Sequence, residues 1–307
     1  MRVLINPYCD FGRGREKWES VAPALRQRFG DFQVQTIDSP RGLISQVRLA
    51  LEEGETAFIA AGGDGTVNLV LNALLACSDP KGLVLGAVGL GSSNDFHKPF
   101  RPEATVAGTP VRMDVANSRP CDVIAAQVRN CGGPHPIRYS LINASVGITA
   151  EANAFYNSRR RSIVLAKRLS HGAAVIAAAL RTIIRYRNIV GTLSVDGDGG
   201  RPCEVTNLGI VKNPHFAGSL CYDTEVAPDD GTMAVNLSEG TTRKEAVSTL
   251  LHLYRREFSG RPKTRTWRTN RLVFESAHSF ALELDGEILT TDRAVFSLQP
   301  KLIRCCS

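Results

Sequence analysis

From residue 2 to residue 90 the chain alternates between a strand-like and a helix-like period, and this alternation restricts its fold more than any other feature. RVLIN (2–6), FQVQTI (32–37), TAFIAA (56–61) and LVLGAVGL (83–90) are short apolar runs suited to buried strands. Between them, 15–29 sets Trp18, Val21, Leu25 and Phe29 on one face, and 41–53 reads as a second helix. The third, 66–76, keeps Val67, Val70, Leu71, Leu74 and Leu75 at i, i+3, i+4 spacing. Strands joined through helices pair in parallel, with right-handed crossovers and helices on both faces. A ligand of such a sheet sits beyond the carboxyl ends of its strands, where the glycine turns of this chain fall.

After about residue 115 the pattern changes. CDVIAAQV, IRYSLINASVGI, NIVGTLSVDG, CEVTNLGIVK, TMAVNLS, RLVFESA and SFALELDGEIL are short, β-branched and separated by turn residues. They predict an antiparallel β-sandwich or barrel, interrupted by helices at roughly 157–186 and 242–257. A chain of 307 residues is long enough for two such domains. The expected division is 1–115, with about 299–307 returning to it, and 116–298.

With 43% hydrophobic and 22% charged residues, the composition is that of an ordinary globular protein. A net charge of +7 points to an anionic partner, whether phosphate, membrane surface or nucleic acid. MRVLINPYCD lacks the apolar core of a secretion signal, and no run approaches the ~18 apolar residues of a spanning helix. The eight cysteines are scattered without a C-x-x-C pair, so reduced thiols and a cytoplasmic location are expected.

Two glycine turns carry the chemistry. Gly62-Gly63-Asp64-Gly65-Thr66 follows the third strand and opens a helix. Its small residues let backbone N–H groups approach a phosphate, and the helix N-terminus points its dipole there. Asp64 or Thr66 capping that helix is an equally good local reading. Gly89-Leu90-Gly91-Ser92-Ser93-Asn94-Asp95-Phe96 follows the fourth strand. A pair of such turns on adjacent strand ends favours the phosphate reading over two coincidental caps.

Taken with Asn68 and Asn72, these motifs resemble the diacylglycerol kinase catalytic-domain family, which includes bacterial lipid kinases and sphingosine kinases and is more distantly similar to NAD kinases. The resemblance extends through Asn6-Pro7, Asp122, Asn143 to Gly147, Asp229-Asp230-Gly231 and Leu284-Asp285-Gly286-Glu287. It implies a Rossmann-like nucleotide-binding α/β domain followed by a β-sandwich that carries the lipid cleft. ATP would lie against Asn6, Arg13, Thr36, Gly62, Gly63, Asp64, Gly65, Thr66, Asn68, Ser92, Asn94, Asp95 and Lys98. The general base would be Asp285 or Glu287, the resemblance allowing either, with Asp64 also in the catalytic set. One Mg²⁺ would be held, partly through waters, by an acidic and hydrogen-bonding network of Asp64, Asp95 and Asp122, and a second, structural ion by the Asp230 carboxylate with the carbonyls of Ala227 and Thr232.

The implied activity is transfer of the γ-phosphoryl group of ATP to a diacylglycerol-like or other long-chain lipid alcohol. An NAD kinase-like enzyme and a non-catalytic lipid- or nucleotide-binding module are the rival readings. A transient anionic membrane surface is an expected partner, giving peripheral association; nucleic acid is not expected, and homodimerisation is left open. The stretch 157–186, with Arg159, Arg160, Arg161, Lys167, Arg168, Arg181 and Arg185, is either a membrane-facing helix or an amphipathic helix packed on the sandwich.

The chain also departs from the family pattern. The first loop, Asn6-Pro7-Tyr8-Cys9-Asp10-Phe11-Gly12-Arg13-Gly14, is long and lacks the usual serine, leaving Arg13 as the phosphate-facing charge. Ser92 replaces threonine, and Lys98 replaces an arginine, keeping charge without bidentate geometry. Asp10-Phe11-Gly12 is not a protein-kinase signature, since no His-Arg-Asp loop or kinase glycine loop accompanies it.

Overall fold

The structure, a computed structural model, describes residues 1–98, 104–130, 133–134, 137–158 and 171–307. The basic positions Arg159, Arg160, Arg161, Lys167 and Arg168 lie outside the described residues. Two compact units emerge: Met1–Val123 with Pro300–Ser307, and Ile124–Gln299. The expected domains were 1–115 with 299–307, and 116–298.

In the first unit, strands β1 (Arg2–Ile5), β2 (Gln33–Thr36), β3 (Ala57–Gly62) and β4 (Val84–Gly89) alternate with helices α1 (Gly14–Phe29), α2 (Pro40–Glu52) and α3 (Asp64–Cys77). The pairings β2–β1, β1–β3 and β3–β4 are all parallel. Arg304 and Cys305 add a further parallel pairing along the start of β4. The sheet is nevertheless mixed, because β5 (Thr109–Arg112) runs antiparallel against Ala87 and Val88 of β4. All six residues of β3 and of β4 are buried, which explains why both read as continuous apolar runs. Val3, Val21, Leu25, Ile59, Val88 and Leu90 belong to one core cluster between the sheet and α1. Ser39 caps α2, its Oγ accepting from Gly42 N at 3.0 Å ahead of Pro40 in the first turn.

The second unit is built on antiparallel pairs. β6 (Arg119–Asn130) enters it and pairs with β7 (Arg138–Ser140). β8 (Asn143–Gly147) is followed at once by α4 (Ile148–Tyr156), because Gly147 turns the chain at φ 103°. Helix α5 (His171–Arg185) precedes β9 (Ile189–Val195) and β10 (Arg201–Val211), and β11 (Met233–Glu239) leads into α6 (Arg243–Arg255). The unit closes with β12 (Thr264–Thr269), β13 (Arg271–Leu284) and β14 (Glu287–Cys305), whose last residues belong to the first unit.

The long strands β10 and β13 each pair with β9 along one stretch and with β8 along another, so β8 and β9 lie end to end between them. β11 and β12 extend the sheet past β10, and β14 extends it past β13. Inward side chains including Ile124, Val146, Leu208, Val235, Phe274 and Phe296 form the core.

Candidate active site

In the first unit the two glycine turns touch through their backbones. Leu90 N and Gly91 N donate to Gly62 O at 2.9 and 3.2 Å. A Cβ on Gly91 would overlap Gly63 Cα, and one on Gly62 would overlap the Thr66 hydroxyl. Both glycines are therefore required by close approach. Gly63 is the N-cap residue of α3, and its carbonyl accepts from Thr66 N and Val67 N at 2.8 and 3.2 Å. First-turn N–H groups lack intrahelical partners, so Asp64 and Gly65 lie in the part of α3 suited to an anion.

The surrounding side chains fasten this arrangement. Asn6 Nδ2 donates to Thr66 Oγ1 at 3.0 Å, linking the end of β1 to α3. Thr36 ends β2 and pairs with Ile5, one residue before Asn6. Asn68 is buried, and its Oδ1 accepts from Asn72 Nδ2 at 3.2 Å within α3. Asn94 adopts φ 50°, accepts from Gly91 N at 3.0 Å and donates to the Gly89 and Gly91 carbonyls. It is the clip of the second turn, and its left-handed backbone suits asparagine. Asp64 Oδ1 accepts from Phe96 N at 2.9 Å, so the aspartate ties the first turn to the second.

The first loop contributes charge in an unexpected way. Asp10, Phe11 and Gly12 have φ values of 46°, 61° and 89°, three successive left-handed residues. They turn the Asp10 carboxylate against Arg13 Nη2 at 2.6 Å and Lys17 Nζ at 2.8 Å. Ser92 Oγ, from the second glycine turn, donates to the other carboxylate oxygen at 3.4 Å. Burial would raise the Asp10 pKa, but the hydrogen bond and charge of Lys17, with Arg13, hold it below its ordinary value. Arg13 thus faces an internal anion. Neither Asp10 nor Lys17 was expected in the site; Lys17 lies one helical turn after Arg13, and that spacing was the available signal.

The implied three-carboxylate metal site is not assembled. Asp95 is buried and paired with Lys98 Nζ. Asp122 is buried, its Oδ1 accepting from the backbone N of Lys301 at 2.8 Å, and so fixes the returning terminal segment. Among the described residues no three His, Cys, Asp or Glu side chains group as metal ligands. Asp64, Asp95 and Asp122 each accept from a donor of the protein itself: Phe96 N, Lys98 Nζ and Lys301 N.

The second unit carries the Leu284-Asp285-Gly286-Glu287 turn between β13 and β14. Asp285 and Gly286 have φ 46° and 98°, which is the Asp-Gly hairpin geometry. The buried Asp285 carboxylate accepts from Ser140 Oγ at 2.6 Å, Leu141 N at 2.8 Å, Ile142 N at 3.0 Å and Asn143 N at 2.9 Å. It acts as an internal anchor for the 140–143 loop. Glu283, also buried, accepts from Ser145 Oγ at 2.7 Å and Gly286 N at 2.6 Å. Glu287, across the turn and paired with Leu284, is exposed.

The implied structural ion site also differs from expectation. Asp230 Oδ1 accepts from Lys212 Nζ at 2.7 Å and Thr232 N at 3.1 Å; Oδ2 accepts from Arg268 Nη1 at 3.0 Å and Ala227 N at 3.3 Å. Ala227 therefore presents its N–H to Asp230, and the Thr232 carbonyl accepts from Lys212 Nζ at 2.8 Å. Burial opposes ionisation of Asp230, but the Lys212 hydrogen bond, with the Thr232 and Ala227 amides, holds its pKa below the ordinary value.

Parallel strands bearing touching glycine turns, followed by an antiparallel unit, make this a two-domain α/β protein with a diacylglycerol kinase-like catalytic domain and a C-terminal β-sandwich-like domain. The diacylglycerol kinase catalytic domain family matches residues 1–126, and the YegS C-terminal NAD kinase beta sandwich-like domain matches 143–307. The chain belongs to this family. It is 34% identical to "Probable lipid kinase YegS" of Escherichia coli strain UMN026, over 26% of this chain and 34% of that protein. The match thus spans about a third of that relative. "Probable lipid kinase YegS-like" of Pseudomonas fluorescens Pf-5 is 24% identical over 94% of this chain and 90% of its own length. A solved diacylglycerol kinase structure from Bacillus anthracis str. Sterne shares the fold at TM-score 0.65, with 15% identity over 99% of this chain and 95% of that one.

Proposed function

We propose that the protein is an ATP-dependent lipid kinase that phosphorylates the hydroxyl of a diacylglycerol-like or other long-chain lipid. The observation carrying this reading is the backbone contact between the Gly62–Thr66 and Gly89–Asn94 turns at the carboxyl ends of parallel β3 and β4. The name carried by the E. coli and Pseudomonas relatives supports the lipid as acceptor.

In this reading the α3 first-turn amides and the cations Arg13 and Lys17 receive the phosphates of ATP, while Asn6, Thr66 and Asn94 hold the turns in shape. The parallel part of the sheet supports a Rossmann-like nucleotide-binding role for the first unit. Mg²⁺ bound with ATP would supply charge compensation at its phosphates. Glu287 takes the proton of the lipid hydroxyl, since an exposed carboxylate can reach a substrate whereas the four donors on Asp285 tie that side chain to its own loop. Asp285 is a positioning residue.

Contact with a membrane is supported by α5, where Ile176, Leu180 and Ile184 recur at four-residue spacing and are all exposed. Among the described residues no helix is long and apolar enough to cross a membrane.

The test is incubation of the protein with labelled ATP, Mg²⁺ and mixed micelles of lipid alcohols, followed by mass spectrometry of the products. A phosphorylated lipid is expected. Phosphorylation of NAD in place of lipid would establish the NAD kinase-like reading, and tight ATP binding without turnover on any acceptor would establish the binding module.

A further inference from the structure

At the carboxyl end of β10 a lysine follows an almost wholly apolar run, Leu208–Val211, and is buried with it. Its side chain retains 1% exposure, yet its ammonium is fully engaged: Nζ meets Asp230 Oδ1 at 2.7 Å and Thr232 O at 2.8 Å. These are two of the three groups that the family resemblance assigns to a structural divalent cation. The third, Ala227, turns its N–H toward Asp230 Oδ2. Arg268 brings a second cation to the same carboxylate at 3.0 Å, and its Nη2 donates to Glu225 O at 2.7 Å. The residues do not fit a divalent ion. Such an ion on the same carboxylate and carbonyl would sit against an ammonium already in that place, at which only the lysine side of the pair is fully buried.

We propose that Lys212 is a tethered replacement for the structural divalent cation: its ammonium joins the Asp230 turn to the end of β10, and the second unit folds without a metal at this position. The tether has a reach beyond its own turn. Lys212 N and Asn213 N both donate to Ile142 O, at 2.9 and 3.0 Å, and Ile142 N donates to Asp285 Oδ1 at 3.0 Å. The strand end that Lys212 fastens is thus the one that supports the loop under the Asp285 turn. In a relative with an ion at this place, the same bracing would depend on divalent metal; here the cation comes with the chain.

The experiment uses the full chain, stripped with chelator and free of nucleotide, so that its outcome does not depend on kinase activity. Wild type is expected to melt at the same temperature with or without millimolar Mg²⁺ or Ca²⁺. Terbium luminescence is expected to show no site that Asp230→Asn removes. Lys212→Met, which keeps volume and deletes the charge, is expected to lower Tm by about 5 °C or more, because Asp230 and Thr232 lose their buried partner. It is also expected to regain part of that loss in millimolar Ca²⁺ or Mg²⁺, a gain that the added Asp230→Asn abolishes. Divalent stabilisation of wild type through Asp230 would overturn the proposal. So would a Lys212→Met protein of unchanged Tm, or one that gains nothing from either ion. If Lys212→Met does not fold at all, the terbium comparison of wild type with Asp230→Asn decides: a site lost on substitution overturns the proposal, and none supports it.

Discussion

Ser140 donates its hydroxyl to Asp285 Oδ1 at 2.6 Å, and the same carboxylate gathers three consecutive backbone N–H groups, those of Leu141, Ile142 and Asn143. An aspartate so placed holds a loop, while the neighbouring Glu287 is left exposed. Two substitutions separate these duties. Asp285→Asn, which loses acceptor capacity against buried donors, should destabilise the protein by about 2–4 kcal/mol and lower turnover through misplacement of the turn. Glu287→Gln should leave the melting temperature unchanged and lower kcat by about 10²–10⁴. Thermal unfolding alongside initial rates checks both; full activity of Glu287→Gln would remove it as the base.

What could be read from the sequence, and what could not, follows from where each requirement lies. Gly62 and Gly91 were legible because close contact, with the Thr66 side chain at the first and with the Gly63 backbone at the second, excludes a Cβ, and only glycine meets that demand. The strands around them were legible from periodicity alone. The partner of a charge is set by tertiary approach, so Lys212 beside Asp230 left no local mark, and the helical spacing of Arg13 and Lys17 did not by itself point to Asp10 between them. The strand segment read over 137–148 runs one residue into α4, and the helix itself was not anticipated; the positive φ of Gly147 is what ends β8 there. Strand β12, Thr-Arg-Thr-Trp-Arg-Thr, was missed since its arginines mask the alternation, although its register with Met233–Ser238 is regular.

The contact between the glycine turns gives a second prediction. Gly91→Ala places a methyl group onto Gly63 Cα, where only backbone can yield. The expected cost is about 1–3 kcal/mol of stability, and ATP affinity should fall because the turns must separate. Calorimetric titration with ATP, at a temperature where the variant remains folded, checks the second effect. Unchanged affinity would dissociate the contact from nucleotide binding.

Cys9 allows a test of burial near the same turns. Burial of its thiol, with Asp10 adding to it and Lys17 opposing, raises its pKa from 9.0 to about 11. At neutral pH the thiolate is scarce, so alkylation by iodoacetamide should be slow and rise about tenfold per pH unit until that value is approached. The linkage has a definite sign. Where the unfolded thiol has ionised and the folded one has not, the native state binds more protons, so this contribution to stability is present below pH about 9 and is lost as pH rises through about 11. Mass-spectrometric alkylation rates across the alkaline range, compared with Cys9→Ser, measure it. Rapid labelling at neutral pH would show that the thiol is not buried in solution.

Asp10 offers the most direct control of the nucleotide site. Its carboxylate is within 2.6 Å of Arg13 and 2.8 Å of Lys17, the cations best placed to meet phosphate in the first loop. A phosphate group approaching them competes with an anion already built into the chain. Asp10→Asn removes that competitor and tolerates the left-handed backbone at φ 46°. ATP affinity should then rise about threefold to tenfold at low salt, the worth of one or two partly exposed ion pairs, with a steeper salt dependence than wild type. The depressed pKa of Asp10 means that wild type should show no release of this clamp near neutrality; release comes only as pH falls through that lowered value. A weaker ATP complex in Asp10→Asn, with the fold unchanged, would mean that the carboxylate orients the cations for phosphate rather than competing with it.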